Sequence, residues 1–354
     1  MLVMVTTPIT ADRIKSYNIA DVEEGLSAYD IDRVYLAGER CVDGNHIYQA
    51  AVGDAIDGLS AWAAGTSFAA AVKCYVAATH RIYQARTPTT DQYPPNYLDD
   101  IWTAIGWVNQ GADLTDSTYW VDMGSTNYWA QFDDFTSTQT VGVPVEDGYA
   151  IDVSLDSNKC NAAALFNCYG KRIDFSIVDK DNIVLWSDSV NLVERNSRTY
   201  SDFFFNRNLR IRSDLIVRFP AYFNTQLRIN IFGQTAARNG MIKVGYIKEI
   251  ATTQNNVSLS INDYSEVTTS KFGVTTITKR QNKKRNSIPM RIKTKNVDMV
   301  YRFFSKLSSV PCVYICDNDG SMECMTVHGL FENFKIVIPG NVESDVSLDI
   351  NGIN

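Results

Sequence analysis

The fold of this chain divides at residues 120–134, which read WVDMGSTNYWAQFDD. Before this stretch the sequence is acidic and rich in aromatic residues, and after it short runs of alternating apolar residues predominate. Residues 124–127 are turn formers between two aromatic pairs, so we expect the segment to fold back on itself. Its rings, Trp120, Trp129 and Phe132, are predicted to pack at a domain junction. An exposed binding surface is the alternative.

The length and composition indicate a globular protein with a substantial core. The 354 residues allow two or three domains, and 45% of them are apolar and 21% charged. We expect neither a signal peptide nor a membrane-embedded segment, because no basic N-terminal region precedes a long apolar run. The seven cysteines are an odd number without a disulfide-framework spacing. They predict free, mostly buried thiols in a protein folded in a reducing cytoplasm.

Charge is distributed unevenly along the chain. Residues 1–150 carry 20 acidic and 7 basic residues, a net charge of −13, whereas residues 151–354 carry 20 acidic and 26 basic residues, a net charge of +6. Such a split favours head-to-tail contacts between copies of the chain. Nucleic acid is not an expected partner, because its binding proteins present a dominant basic face.

The first third contains an internal repeat. The tetrapeptide IYQA occurs at residues 47–50 and again at residues 82–85, with a histidine upstream of each copy. Alternating apolar residues on both sides of Asp43-Gly44 and of Ala77-Ala78 predict two small β-hairpins. Each hairpin is expected to be closed by a tryptophan that follows it, so the predicted modules span about residues 28–62 and 67–107.

Modules of about 40 residues have small cores, in which one aromatic side chain provides much of the burial. The order of an aromatic residue, a valine strand, a turn, IYQA, a polar loop and tryptophan resembles the small chitin-binding type of carbohydrate module. In that family, flat aromatic faces stack on sugar rings. The alternative is that these rings fill the module cores or dock neighbouring subunits. The sugar or partner contacts that the resemblance implies are Tyr48, Trp62, Tyr83, Trp102 and Trp107.

Residues 124–133, GSTNYWAQFD, resemble a Gly-x-Thr-Asn-x-Trp-x-x-Phe-Asp signature of virion proteins of tailed bacteriophages. Residues 263–265, 272–273 and Arg280 are also similar to elements of such proteins, so the likeness spans most of the chain. The resemblance implies a structural protein of the virion, made in the host cytoplasm. Its implied partners are further copies of the chain, other tail or fibre proteins and, under the sugar-binding interpretation, a host surface glycan.

The remaining two-thirds of the chain are predicted to form two β-rich scaffold domains. Alternating runs such as residues 173–177, 215–219 and 227–231, separated by turn signals, predict an antiparallel β-sandwich of jelly-roll type at residues 150–250. Residues 251–354 continue the strand pattern and include one helix signal, which predicts an α+β assembly domain. The helix is indicated by a possible N-cap and apolar residues at helical spacing, Asn296, Val297, Val300, Tyr301, Phe304 and Leu307.

The predicted fold class is therefore mainly β. Small β-hairpin modules occupy residues 1–119, a junction motif and linker occupy residues 120–149, and the sandwich and the α+β domain follow.

Two stretches are predicted to lie at subunit interfaces. Three consecutive phenylalanines at residues 203–205 would be buried on only one side of a simple strand. Five bases within seven residues predict a solvated loop between strands, or an arm that docks onto an acidic neighbour. The candidate interface residues are Phe203, Phe204, Phe205, Lys279, Arg280, Lys283, Lys284 and Arg285.

No catalytic, metal or cofactor site is predicted. On one strand, Cys312 and Cys316 would lie about 13 Å apart, which is too far for both to bind one zinc ion. Residues 317–320 favour an Asp-Gly hairpin turn over a calcium loop, because position 12 of such a loop would be His328. Three histidines offer little material for a nucleophilic triad. The expectation is a non-enzymatic protein, and a polysaccharide depolymerase with a carboxylate pair is the enzymatic alternative.

Overall fold

The computed structural model describes residues 1–20, 23, 25–54, 59–144, 148–157, 159–194, 210–233, 236–269, 271, 275–280, 282–317 and 322–353. The chain forms two compact units. The aromatic unit consists of residues 20–129, and the sandwich unit consists of residues 1–19 together with 130–354. Strands dominate both units, so the prediction of a mainly β protein is confirmed. No helix in the described ranges is long and apolar enough to cross a membrane.

The first two strands in the sequence belong to the sandwich unit. They are β1 (Leu2–Thr7) and β2 (Ile14–Tyr17). The strands of the aromatic unit are β3 (Ser27–Ala28), β4 (Arg40–Asp43), β5 (His46–Ala50), β6 (Ser60–Ala61), β7 (Ser67–Phe68), β8 (Lys73–Val76), β9 (Arg81–Ala85), β10 (Thr89–Thr90), β11 (Trp102–Trp107) and β12 (Trp120–Ser125).

The aromatic unit contains two four-stranded sheets built to one plan, with strand orders β12-β5-β4-β3 and β11-β9-β8-β6. In each sheet an antiparallel hairpin has a short parallel strand on one side and a later antiparallel strand on the other. That later strand begins with a tryptophan in both cases. Trp120 is opposite Ala50 and Trp102 is opposite Ala85, and a register shift follows in each pair. The second module is inserted between β5 and β12 of the first, so the modules are nested.

Nesting changes the predicted module boundaries. Both hairpins of the repeat are present. However, Trp62 does not close the first module, because it packs beside the core of the second, with its ring 4.9 Å from that of Tyr93. The first-module counterpart of Trp102 is Trp120. The predicted span of residues 28–62 is therefore wrong, and the first module combines residues from both sides of the inserted one.

The sandwich unit contains one α-helix among the described residues, α1 (Val297–Lys306). Its remaining strands are β13 (Thr140–Gly142), β14 (Tyr149–Asp156), β15 (Ala162–Phe166), β16 (Arg172–Val178), β17 (Val184–Asn191), β18 (Val193–Glu194), β19 (Arg210–Ile211), β20 (Leu215–Arg218), β21 (Gln226–Phe232), β22 (Ala237–Asn239), β23 (Met241–Glu249), β24 (Thr252–Thr253), β25 (Ser258–Asp263), β26 (Glu266–Thr269), β27 (Thr275–Thr278), β28 (Asn282–Lys293), β29 (Cys312–Ile315), β30 (Thr326–Val337) and β31 (Glu343–Gly352).

Two antiparallel sheets make up most of this unit. The smaller has the strand order β17-β16-β21-β14-β2. The larger has the order β20-β15-β23-β1-β29-β30-β31-β28-β24, with β25 also paired to β28. The larger sheet curls, and Lys284 of β28 contacts Asp214, just before β20, at 2.5 Å. Strands from both predicted C-terminal domains share this sheet, so residues 150–250 and 251–354 are not separate domains.

Alternation explains the core of the smaller sheet. The apolar residues of β14, β16 and β21 recur at every second position and are fully buried, as at Ile151, Phe175 and Ile229. Such a pattern places one face of a strand against a covered interior. The β-sandwich is therefore confirmed. The two main sheets contain five and ten strands, whereas a jelly roll has eight strands in all. The unit is therefore described as a β-sandwich and not as a jelly roll.

The predicted helix is confirmed as α1, which packs on the larger sheet. Val300 and Phe304 are buried, and the Phe304 ring stacks on that of Phe334 at 4.4 Å. Two details differ from the expectation. Asn296 makes no side-chain capping hydrogen bond, and Tyr301, which was expected on the apolar face, is 61% exposed.

Candidate functional site

Two of the predicted sugar contacts are core residues. Trp102 has no exposed surface and Tyr83 is 4% exposed. The Trp102 indole Nε1 donates a hydrogen bond to the carbonyl of Gln92 at 3.0 Å, and its ring lies 5.3 Å from that of Phe68. Stacking on a sugar needs an open ring face, so the prediction of a contact role is wrong for these two residues.

The other three repeat aromatics are half-buried. Tyr48 packs beside the first-module core, and Trp62 packs beside the second. One face of Trp107 is covered by the Arg81 guanidinium, whose central carbon lies 3.4 Å from the ring centroid. Only part of each of these three side chains is exposed. The main role of the repeat aromatics is therefore to pack in or beside the module cores.

Within the aromatic unit, the junction motif completes the first module. Trp120 is 2% exposed and belongs to the module core, so it does not serve the predicted role at a junction. Gly124 has a φ of +101°, which favours glycine, and its amide donates to the Asp122 carboxylate at 2.8 Å. The Asn127 amide donates to the Glu23 carboxylate at 2.9 Å. Trp129, the last residue of this unit, is half-buried.

The motif continues into the sandwich unit. Gln131 is fully buried, and its amide oxygen accepts from the Asn239 side chain at 3.0 Å. Phe132 is 5% exposed and meets the edge of the Tyr17 ring at 6.0 Å. The Asp133 carboxylate accepts from the Phe135 amide at 2.9 Å, as expected of aspartate in a turn. In each unit, the residues of this segment therefore turn the backbone or are buried.

The basic cluster is only partly the predicted solvated loop, because Lys279 and Arg280 are exposed and lie between strands whereas the other three bases do not. Lys283, Lys284 and Arg285 lie in β28. Arg285 pairs with Glu332 at 2.9 Å, and the Lys284 amine also donates to the Glu323 carbonyl at 3.1 Å. The other interface prediction, Phe203, Phe204 and Phe205, lies outside the described residues.

A two-stranded ribbon was missed by the sequence reasoning. It consists of β26 and β27, and every residue of both strands is exposed. Val267 is directly opposite Ile277, and these side chains are 63% and 68% exposed. At the base of the ribbon, Arg280 pairs with Glu266 at 2.6 Å. The run of β-branched residues at 275–278, TTIT, was the signal that could have revealed it.

A cavity of about 600 Å³ lies in the sandwich unit, where the ends of the curled sheet approach each other. Three of the five clustered bases line it, together with an acid, an aromatic ring and two polar residues of β30. The sequence did not indicate this site, because its residues come from distant segments. The residues important here are Phe166, Asp214, Lys279, Arg280, Lys284, Thr326 and His328.

His328 and Thr326 are the unusual members of the cavity wall. They are 4% and 2% exposed. Within the described part of the chain, neither His328 ring nitrogen nor the Thr326 hydroxyl has a hydrogen-bond partner. Burial, with a smaller contribution from the positive charge of Lys243, lowers the pKa of His328 to about 3. The imidazole is therefore neutral at physiological pH.

The two cysteines at residues 312 and 316 are ordinary buried thiols. Cys312 and Cys316 are buried, and burial raises their pKa values to about 11 and about 12, so both are protonated thiols at neutral pH. The described residues contain no group of three histidine, cysteine or acidic side chains placed to hold a metal ion. Most of the predicted turn at residues 317–320 lies outside the described ranges.

Comparison of the chain with known protein families, with curated proteins and with solved structures found no match.

Proposed function

We propose that this chain is a non-enzymatic structural protein of a tailed-bacteriophage virion, which assembles into an oligomeric ring in the tail, baseplate or collar. The resemblance of residues 124–133 to a virion-protein signature motivates the proposal. Two of its signature residues make contacts suited to a fixed turn, since Gly124 adopts a positive φ and the Asp133 carboxylate accepts a backbone amide.

The exposed ribbon of β26 and β27 is the observation that carries the assembly role. A two-stranded hairpin is marginally stable in water unless it packs against another surface. Here the apolar pair Val267 and Ile277 is exposed. Among the described residues the ribbon pairs with no third strand, and open edges and apolar pairs in water favour unwanted association. Such a ribbon is suited to bind a neighbouring molecule.

We assign that neighbour to a second copy of the chain, because the two units have complementary charge. Residues 20–129 carry 15 acidic and 5 basic residues, a net charge of −10. The rest of the chain carries 25 acidic and 28 basic residues, a net charge of +3. Lys279 and Arg280 directly follow β27. Contact between the ribbon of one copy and the acidic aromatic unit of the next would repeat head to tail, and such contacts close into a ring when the rotation between copies divides a full turn.

The change Val267→Asp is expected to weaken self-association about tenfold or more, because it places a charge in the proposed apolar contact. The measurement is the mass distribution of the purified chain across a dilution series, by light scattering or mass photometry. Thr268→Asp is the matched control, since it adds the same charge on the opposite face of the same exposed strand. A wild-type chain that is monomeric at all concentrations contradicts the proposal, as does equal weakening by both variants.

The location requires a separate experiment. Mass spectrometry of purified virions from phage that encode this chain should detect it in a constant ratio to other tail proteins. Its absence from the particles would exclude the virion role even if the purified chain formed oligomers.

A further inference from the structure

We propose that the cavity of the sandwich unit binds an acidic sugar, which is a hydroxyl-rich ring bearing a carboxylate or phosphate. This role goes beyond assembly and uses other residues than the ribbon pair or the repeat aromatics. The cavity volume of about 600 Å³ falls within the range of small-ligand pockets in proteins.

The buried polar side chains point to a ligand rich in hydrogen-bonding groups. Thr326 and His328 are alternate residues of β30, so they project from the same face of the strand, about 7 Å apart. Both line the cavity and both are more than nine-tenths buried. No hydrogen-bond partner is found within the described ranges for the hydroxyl of Thr326 or for either ring nitrogen of His328. Buried polar groups are nearly always hydrogen-bonded, and sugar hydroxyls can both donate to and accept from these two side chains.

The charges of the cavity wall point to an acidic group on that ligand. Lys279, Arg280 and Lys284 line the cavity, and Asp214 is the acid among the described lining residues. With His328 neutral, three cations and one acid line the wall, and Glu266, which pairs with Arg280, reduces the excess to one positive charge. The pairing of Lys284 with Asp214 and of Arg280 with Glu266 fixes the positions of two cations before a ligand arrives. A carboxylate or phosphate is the group that such fixed cations bind best.

The cavity wall also has an apolar part. Phe166 lies beside His328, with ring centroids 6.0 Å apart. Phe166 is 4% exposed, so it forms an apolar part of the wall and offers no open ring face for stacking. Cations, polar groups and an aromatic ring therefore occur in one cavity.

Titration calorimetry of the full-length chain at pH 7.5 tests the proposal with glucuronate, glucose 6-phosphate, glucose and inorganic phosphate as probes. Glucuronate differs from glucose in its carboxylate, so this pair isolates the acidic group. At least one of the two acidic sugars is expected to bind about tenfold more tightly than glucose and than inorganic phosphate. Whichever binds identifies the acidic group.

Two variants tie binding to this cavity. Lys279→Gln is expected to lower the affinity about tenfold. The matched control Lys283→Gln removes the same charge from a residue outside the cavity wall and should leave affinity unchanged. Thr326→Val keeps the side-chain shape and removes a hydroxyl that lacks a partner, so it should weaken binding without lowering the melting temperature of the free protein.

Several results would overturn the proposal. They are the absence of binding by both acidic sugars, equal affinity for glucose, equal affinity for inorganic phosphate, and equal losses in the Lys279 and Lys283 variants. Binding should persist in the Val267→Asp protein, which separates this site from assembly.

Discussion

Replacing Trp102 with alanine is expected to destabilise the second module by about 3–5 kcal/mol. The side chain is fully buried, and it is the largest member of a core that otherwise contains Phe68, Cys74, Tyr83 and small or aliphatic residues. A module of this size has few other apolar contacts to compensate for the cavity. Under the sugar-contact interpretation, the same change would remove binding and leave folding intact.

The nested arrangement of the two modules predicts which residues lose protection when Trp102 is replaced. Amide hydrogen exchange should increase throughout residues 60–107, and in the first module as well, because an unfolded insertion lengthens the loop between β5 and β12. Trp107→Ala is the control, and its expected cost is about 1 kcal/mol, because that side chain is half-buried and its ring is covered on one face by Arg81. Unchanged exchange in Trp102→Ala would show that the second module does not depend on this core.

Lowering the pH from 7 to 5 is expected to remove about 2 kcal/mol of stability through His328 alone. Its pKa is about 3 in the folded protein and 6.5 in the unfolded chain. Between these values the unfolded chain binds a proton and the folded protein does not, so stability falls as the pH decreases through 6.5. The loss continues towards pH 3 and then levels off.

Urea unfolding of the sandwich unit at both pH values measures this effect. His328→Asn should reduce the stability difference between pH 7 and pH 5 by about 2 kcal/mol, since asparagine does not titrate. His80→Asn is the matched control, because it removes a half-buried histidine from the aromatic unit. If the two variants have the same pH dependence as the wild type, the histidine is not held neutral in the folded protein.

Local sequence patterns predicted the strands and the helix, because these elements depend on residues that are close together in the sequence. The alternation in residues 173–177 and 227–231 predicted β16 and β21, and the spacing of Val300 and Phe304 predicted α1. These elements bury one regular face, and the period of the buried residues is visible in the sequence. The repeat likewise predicted two hairpins.

Contacts between segments that are far apart in the sequence could not be predicted from such local patterns. Nothing near Trp120 shows that it completes a sheet with residues 46–50, because a whole module intervenes. Similarly, the sequence shows Lys284 only as one of five clustered bases. Its contact with Asp214 depends on the curl of the larger sheet. The cavity exists because of that closure, so its residues have no common motif.

The central position of β1 has a consequence for how the sandwich unit is made. This strand pairs on one side with β23 and on the other with β29, although both are far from it in the sequence. During synthesis, one edge of β1 has no native partner until residue 249 has left the ribosome, and the other has none until residue 315 has left it. Long-range pairing of this kind slows folding and exposes strand edges to other chains. Rapid production of the chain should therefore increase the demand for chaperones, which can cover these edges until the later strands arrive.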